Sequence, residues 1–490
     1  MKEEKDVAEP KREKEDKKED REDVAKESSI RTSICALQDG IIYDEKKVGK
    51  NGEGGELGRE LGIEIPVLSR VEGHSRIVVR MKGKEVVDAR LEIFEGMRLF
   101  EAWMRGRSYI ELHHFASRVC GMCSASHQLA SIHAIEDGLG IVPSEQTIRL
   151  RELICYGEML QETALHMYVL SLPDYLGYNS IIDMAAREPE EVKDALKVKS
   201  VGNDICRVIV GRAVHQWSMH PGGFSKIPDK RTVSELLVKI REILPCAWRM
   251  VERFSKLEYP EYRRTSQYLA LCEDKYAFEN GKVNTTNKSF EIREFEKNIT
   301  EEVVPYSTSK RSRIEWKSYQ VGPLARMNLS YNKLGDMGKK ALGMLNVKFP
   351  SDNPFHSNAA RAVELMEIID RIIGILEKNT FKIEEIRNIP KEYMHEEGNL
   401  TLPKSGDGYG ATEAPRGTLF YHFKFDNKGK AEYVNIITPT AQNQLRIEED
   451  MRGYLETISD MPKEEIAHKL QMLVRSYDPC NSCAAHVLIL

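Results

Sequence analysis

Two short cysteine pairs, far apart, constrain this chain more than any other feature. Arg118-Val119-Cys120-Gly121-Met122-Cys123-Ser124-Ala125-Ser126-His127 is the first, and Asp478-Pro479-Cys480-Asn481-Ser482-Cys483-Ala484-Ala485-His486 is the second, four residues before the end. Each is a Cys-x-x-Cys with a histidine shortly after it. Each pair can give two thiolates to one centre, and four sulfurs hold a soft or borderline transition metal. The fold must therefore bring residue 120 beside residue 480.

The residues leave a structural zinc clip open, although the two pairs of such a site normally lie within roughly 20 residues of each other. A c-type haem is excluded, because neither pair is followed directly by histidine. A thioredoxin-like redox pair would need a local βαβ pattern, and none is present. Cys35, Cys155, Cys206, Cys246 and Cys272 are isolated. They make no iron–sulfur ligand pattern and read as small buried hydrophobes. Such cysteine usage suits a reducing compartment. Lys and Arg total 72 against 77 Asp and Glu, a net charge of −5 that offers nothing to nucleic acid. No apolar run approaches the roughly 20 residues of a membrane span. No secretory h-region opens the chain. A cytoplasmic protein without a transmembrane segment is expected.

Residues 1–28 alternate charges without an apolar stripe, and 29–60 turn polar and Gly-rich; together they read as a disordered arm and linker. Structure is expected from Ile63, with a strand at Ile77–Val79, a turn at Lys82–Glu85 and a second strand at Val86–Phe94. A helix is expected to open at the first cysteine pair and stop near Gly138. Further helices are expected at 144–171, ending before Leu172-Pro173, at 189–214 with a break near Gly202, at 232–256 with a kink at Pro245, and at 357–378. Their apolar stripes must be buried against one another, so the middle of the chain reads as a bundle. Residues 276–318 read as an insertion and 400–412 as a Gly-rich loop. Leu419–Phe425 and Val434–Thr438 read as a hairpin. The fold class is α+β: a long helix bundle with small peripheral sheets and hairpins, forming one large catalytic domain over 61–490.

Arg-x-Cys-Gly-x-Cys-x-x-x-His with a C-terminal Asp-Pro-Cys-x-x-Cys-x-x-His resembles the large, catalytic subunit of nickel-iron hydrogenases. Both halves match at the defining positions. Arg70-Val71-Glu72-Gly73-His74, Gly211–His215 with His220–Gly223, Tyr319–Arg326, Ala414-Pro415-Arg416-Gly417 and Pro439-Thr440 resemble further stretches of that family. Gln442 replaces a Trp found in many members, as in the soluble cofactor-reducing type.

The resemblance implies a nickel held by Cys120, Cys123, Cys480 and Cys483. It implies that Cys123 and Cys483 bridge to an iron carrying CO and two cyanides. Arg416 and Thr440 would hydrogen-bond those ligands, with Pro415 and Pro439 shaping an apolar pocket. His127 would hydrogen-bond a cysteine sulfur. Cys480 would pass protons to Glu72, with Arg416 the other candidate base. Glu101, a backbone carbonyl near Ile436 and His486 would hold magnesium, although Leu99-Phe100 departs from the family's usual Arg-Gly-x-Glu. A nickel chaperone and a protease that removes 487–490 after His486 are implied as well. With no cluster motif or dinucleotide Gly-x-Gly-x-x-Gly of its own, the chain needs a small iron–sulfur subunit. Additional flavin or iron–sulfur subunits would lead to NAD(P) or a deazaflavin. The alternatives are a subunit feeding ferredoxin or heterodisulfide reductase and, outside enzymes, a structural zinc or assembly protein.

Overall fold

Amphipathic helices in the middle of the chain bury their apolar stripes against one another and make the largest core. In chain order they are α1 (Ser124–Leu139), α2 (Glu145–Leu165), α3 (Pro189–Val210), α4 (Lys230–Ser255) and α5 (Ser357–Lys378). The structure is a computed structural model that describes residues 41–48, 58–96, 99–276, 278, 281–378, 381 and 406–485. The expectations for the arm at 1–28, for His486 and for the tail at 487–490 lie outside the described residues.

The bundle corrects one expected break and one expected helix end. α3 runs unbroken through Gly202, because glycine there lets α3 touch α2: a Cβ would lie 2.6 Å from the Gly157 carbonyl oxygen. After α2 the helical backbone does not stop before Leu172-Pro173. It widens into a π-type turn at His166–Ser171 and continues as Leu172–Leu176. Pro173 falls in the first turn of that last segment, where its missing N–H is not needed. α1 stops near Gly138 as expected, with Leu139 its last residue and Gly140, φ 67°, turning the chain away. α4 passes through Pro245 as one element.

The N-terminal sheet contains β1 (Ile42–Val48), β2 (Gly58–Ile65), β3 (Ser75–Lys82) and β4 (Glu85–Ile93), antiparallel and in that order. Residues 42–48 and 58–60, expected as linker, are strand. Their register, with Tyr43 opposite Ile63, satisfies backbone groups that a polar sequence leaves unannounced. Ile77, Val79 and Met81 alternate inward along β3 and pack on Ile447, Met451 and Leu455 of α6 (Pro439–Ile458).

A second sheet, β5 (Gly406–Ala414), β6 (Gly417–Phe425) and β7 (Ala431–Ile437), lies against α1. Residues 406–412 are strand and not loop. Their glycines are there for close approach: a Cβ at Gly406, Gly408 or Gly410 would lie 2.3, 1.9 or 2.2 Å from the carbonyl oxygens of Gly138, Ala134 and Ala130. Residues 276–318 bury Phe290, Phe295, Ile299 and Ile314 in one core with Phe420 of β6 and Ile437 of β7. Among the described residues, no helix is long and apolar enough to cross a membrane.

Gly408→Ala should therefore cost about 1–3 kcal/mol or more through overpacking. Gly343→Ala, whose Cβ meets nothing within 4 Å, should be neutral or stabilise by about 0.4–1 kcal/mol. Thermal denaturation of the two variants checks the contrast.

Candidate metal centre

The second cysteine pair stands at the start of the short helix α7 (Asn481–Ala484), and Cys123 is the residue that precedes α1. The four sulfurs lie within 4.8 Å of one another, and all four residues are buried. Cys120 and Cys480 Sγ are 3.5 Å apart, Cys123 and Cys483 Sγ 3.4 Å, and Cys480 and Cys483 Sγ 2.7 Å. Metal–sulfur bonds of about 2.3 Å place the sulfurs of one ion roughly 3.3–3.8 Å apart. The two contacts that link the distant pairs fall in that range, so the donor set fits one soft or borderline ion. All eight described cysteines are free.

The cluster is asymmetric in charge. Burial pushes the Cys120 thiol up, but hydrogen bonds from Cys123, Cys480 and Cys483 outweigh it and hold Cys120 well below the usual thiol range. Its sulfur also accepts the Met122 and Cys123 N–H groups, each at 3.2 Å. The hydrogen bond to Cys120 keeps Cys123 protonated, and burial together with the bonds to its neighbours does the same for Cys480. Burial lifts Cys483 to about 12.

Glu72 meets this cluster directly. The Cys480 thiol donates to Glu72 Oε2 at 3.0 Å. The Ser482 N–H donates to the same oxygen at 3.1 Å, and the Ser482 hydroxyl to Oε1. The Glu72 carbonyl accepts the Asn481 N–H at 2.9 Å. Gly73, with φ 76°, makes the approach possible, since a Cβ there would lie 2.9 Å from the Ser482 nitrogen.

Arg416 sits in the two-residue turn between β5 and β6 and is buried. Its Nε donates to the Asp478 carbonyl at 2.9 Å, Nη2 to Asp478 Oδ1 at 3.1 Å and Nη1 to Glu162 Oε2 at 3.2 Å. Burial disfavours its charge, but Asp478, Cys480 and Glu162 outweigh that and hold it firmly cationic. Pro415 and Pro439 are buried beside the turn and at the start of α6. Thr440 Oγ1 accepts the Cys480 N–H at 2.9 Å, so it holds the ligand-bearing backbone.

His127 Nδ1 pairs with the Tyr421 hydroxyl at 2.7 Å, and its buried Nε2 has no hydrogen-bond partner among the described residues. Burial lowers its pKa to about 4. Glu101 is buried, and its Oε1 accepts the Ile436 N–H at 2.9 Å. Lys310 Nζ lies 3.3 Å from Glu101 and 3.0 Å from Glu301, so two carboxylates share one ammonium.

Several residues of the site carry no sequence motif. Glu162 and His166 come from mid-helix positions, and His166 Nδ1 lies 3.1 Å from Asp478 Oδ1. Arg361 approaches the other Asp478 oxygen at 3.7 Å. Arg326 donates to the carbonyls of Ala414 and Pro415 and pairs with Glu364 and Glu413, supporting the turn that presents Arg416. Its place in the Tyr319–Arg326 stretch was the one available signal. His215 fastens the loop before Cys120: its Nδ1 meets the Ser117 carbonyl at 2.7 Å and its N–H donates to Ser124 Oγ at 3.1 Å. His113, His114 and His220 form a second donor cluster, with Trp217 stacked on His114.

The sequence profile of the family described as nickel-dependent hydrogenase matches residues 98–205 and 260–486. Sulfhydrogenase 1 subunit alpha of Pyrococcus furiosus is 34% identical over 436 residues, covering 87% of this chain and 98% of that protein. The NAD-reducing hydrogenase HoxS subunit beta of Cupriavidus necator is 24% identical over 478 residues, covering 87% and 95%. The crystal structure of an NAD+-reducing [NiFe]-hydrogenase in the H2-reduced state superposes with a TM-score of 0.76. It is 25% identical and covers 87% of this chain and 99% of that one.

A metal ion binds thiolates, so loading one divalent ion onto the four buried cysteines at neutral pH should release protons. Titration of the metal-free chain with nickel in weak buffer measures the release. No release would contradict binding through the cysteine sulfurs.

Proposed function

This chain belongs to the nickel-dependent hydrogenase family as the catalytic large subunit of a nickel-iron enzyme, and on that premise we propose the roles of its residues and the route of its electrons. Cys120, Cys123, Cys480 and Cys483 would hold the nickel, and Cys123 and Cys483 would also serve an iron with CO and two cyanides. When bound, this group supplies the heterolytic cleavage of H2 into protons and electrons.

The chain's own part is to move the proton. The observation that carries this reading is the 3.0 Å contact from Cys480 Sγ to Glu72 Oε2. Ser482 occupies both carboxylate oxygens of Glu72 and so aims it at the sulfur. Glu72 is half-buried, which puts it between the dry cluster and solvent. Arg416 is the poorer base, because Asp478 and Glu162 hold it as a cation. Its positive charge, with Thr440 and the buried faces of Pro415 and Pro439, suits it to line the pocket around the iron's ligands. Low local polarity strengthens each of these electrostatic contacts.

Glu101 and Glu301 both approach Lys310, and burial lifts Glu301 to about 7, so the buried site gathers carboxylate oxygens. That donor set fits a hard cation such as magnesium. Glu101, the carbonyl of Ile436 and His486 are its proposed ligands. A protease removes 487–490 once a nickel chaperone has delivered the metal.

Electrons leave through a small iron–sulfur subunit. Among the described residues, Cys155, Cys206, Cys246 and Cys272 are free and buried and belong to no group of three or more potential metal donors. Flavin or iron–sulfur subunits then carry the electrons to NAD(P) or a deazaflavin in the cytoplasm. The likeness to NAD-reducing relatives and Gln442 in place of the usual Trp support that acceptor class.

The native complex, purified through this chain, should reduce a dye with H2 and should reduce NAD, NADP or a deazaflavin. A complex containing processed chain, nickel and iron but inactive with every acceptor would sink the reading. Glu72→Gln should lower hydrogen-driven dye reduction on the order of 10²-fold, as loss of a positioned proton acceptor does. Nickel per chain should be unchanged. Wild-type turnover in that variant would remove Glu72 from the proton route.

A further inference from the structure

The first N–H groups of an α-helix have no partner within the helix. The residue just before the helix usually supplies one with a side-chain oxygen. At the start of α1 that residue is Cys123, and it makes no such bond. Its sulfur is turned to the metal cluster, 3.4 Å from Cys483.

The missing cap comes from another helix. Glu158 of α2 accepts the Ala125 N–H at 2.6 Å through Oε1. Its Oε2 accepts the Ser126 N–H at 2.9 Å and the Ser126 hydroxyl. Glu158 is 1% exposed, and its hydrogen-bond partners among the described residues all belong to the start of α1. A buried carboxylate there is favoured by the positive end of the helix. Burial nevertheless pushes its pKa up to about 7 against those three donors.

Glu162 lies one helical turn further along α2 and holds Arg416, which in turn holds Asp478 beside the second cysteine pair. One rigid helix therefore reaches both halves of the cluster, each through a carboxylate. Gly157, next to Glu158, lets α3 close over this face, with Ile205 3.0 Å from where a Cβ would lie.

We propose that Glu158 is a positioning residue of the metal centre: it supplies the helix cap that Cys123 gives up to the metal, and so fixes the Cys120–Cys123 pair relative to α2. This rests on the four cysteines being the nickel ligands. Glu158 does not touch the reacting atoms and acts only through α1.

Glu158→Ala, Glu158→Gln and Ser126→Ala, each made in the full chain and assembled into the native complex, test it. In the metal-free chain, amide hydrogen exchange in the segment that begins at Ser124 should rise about tenfold in Glu158→Ala, the size expected for a lost cap. Exchange in the rest of α1 and in α2 should not change. In the complex, loss of nickel to a chelator should accelerate roughly 10- to 100-fold, as for removal of a group that orients a metal ligand. The kcat for hydrogen oxidation should fall with the KM for H2 unchanged. Glu158→Gln, which keeps one acceptor oxygen, should restore part of the protection and of the nickel retention. Ser126→Ala removes only the hydroxyl donor and should give the smallest change.

Wild-type nickel retention in Glu158→Ala, whether or not the exchange rises, would overturn the proposal. If Glu158→Ala does not accumulate, Glu158→Gln decides: retention equal to wild type overturns the proposal, and an intermediate rate supports it. Inactivity of the wild-type complex would count against the hydrogenase reading and leave the amide-exchange result standing.

Discussion

The ion pair between Arg416 and Asp478 is the contact on which the assembled site depends. Asp478 directly precedes Pro479-Cys480 and holds a φ of 55°, a left-handed backbone that a non-glycine residue adopts at a cost. Arg416 binds both its carbonyl and its carboxylate, and His166 and Arg361 approach the same carboxylate. Burial would raise the Asp478 carboxyl, but Arg416 and then His166 hold it far below the usual range. Breaking one member of such a buried pair leaves an uncompensated charge, at a cost of about 3–5 kcal/mol. The strained turn and the ion pair thus sustain each other, and the second cysteine pair is presented in one orientation.

That orientation is useful because the surrounding elements come unusually close. Gly202 lets α3 meet α2, and Gly406, Gly408 and Gly410 let β5 lie on α1. Gly322 and Gly417 let the Arg416 turn nest against Val321, since a Cβ at Gly417 would lie 2.5 Å from Val321 Cγ2. These glycines act by absence of a side chain. They let the helices and strands that carry the buried sulfurs pack closely.

A dry site sharpens the division of charge. Arg416 stays a cation and Asp478 an anion, and burial keeps the Cys480 thiol protonated beside Glu72. On the proposed proton route, the Cys480 thiol is already hydrogen-bonded to its acceptor, and Ser482 keeps that carboxylate from turning away.

Local patterns in the chain announced the two cysteine pairs, the Glu72 motif, the Ala-Pro-Arg-Gly stretch, the β3–β4 hairpin and α5. Each is a matter of residue type at short spacing, which is all a one-dimensional reading can weigh. The partners of those residues were not legible. Glu158, Glu162, His166 and Arg361 are single polar residues in helices, and nothing in their neighbours distinguishes them from a solvated face. The glycines of β5 read as a loop because a loop and a close backbone contact ask for the same residue. The Tyr421 partner of His127 was not legible either, since β6 brings it from 294 residues away. The sequence by itself determined which atoms can bind the metal and carry the proton. Tertiary structure alone decided which buried carboxylates hold them in place, because a buried charge is tolerated only where distant parts of the chain bring it a partner.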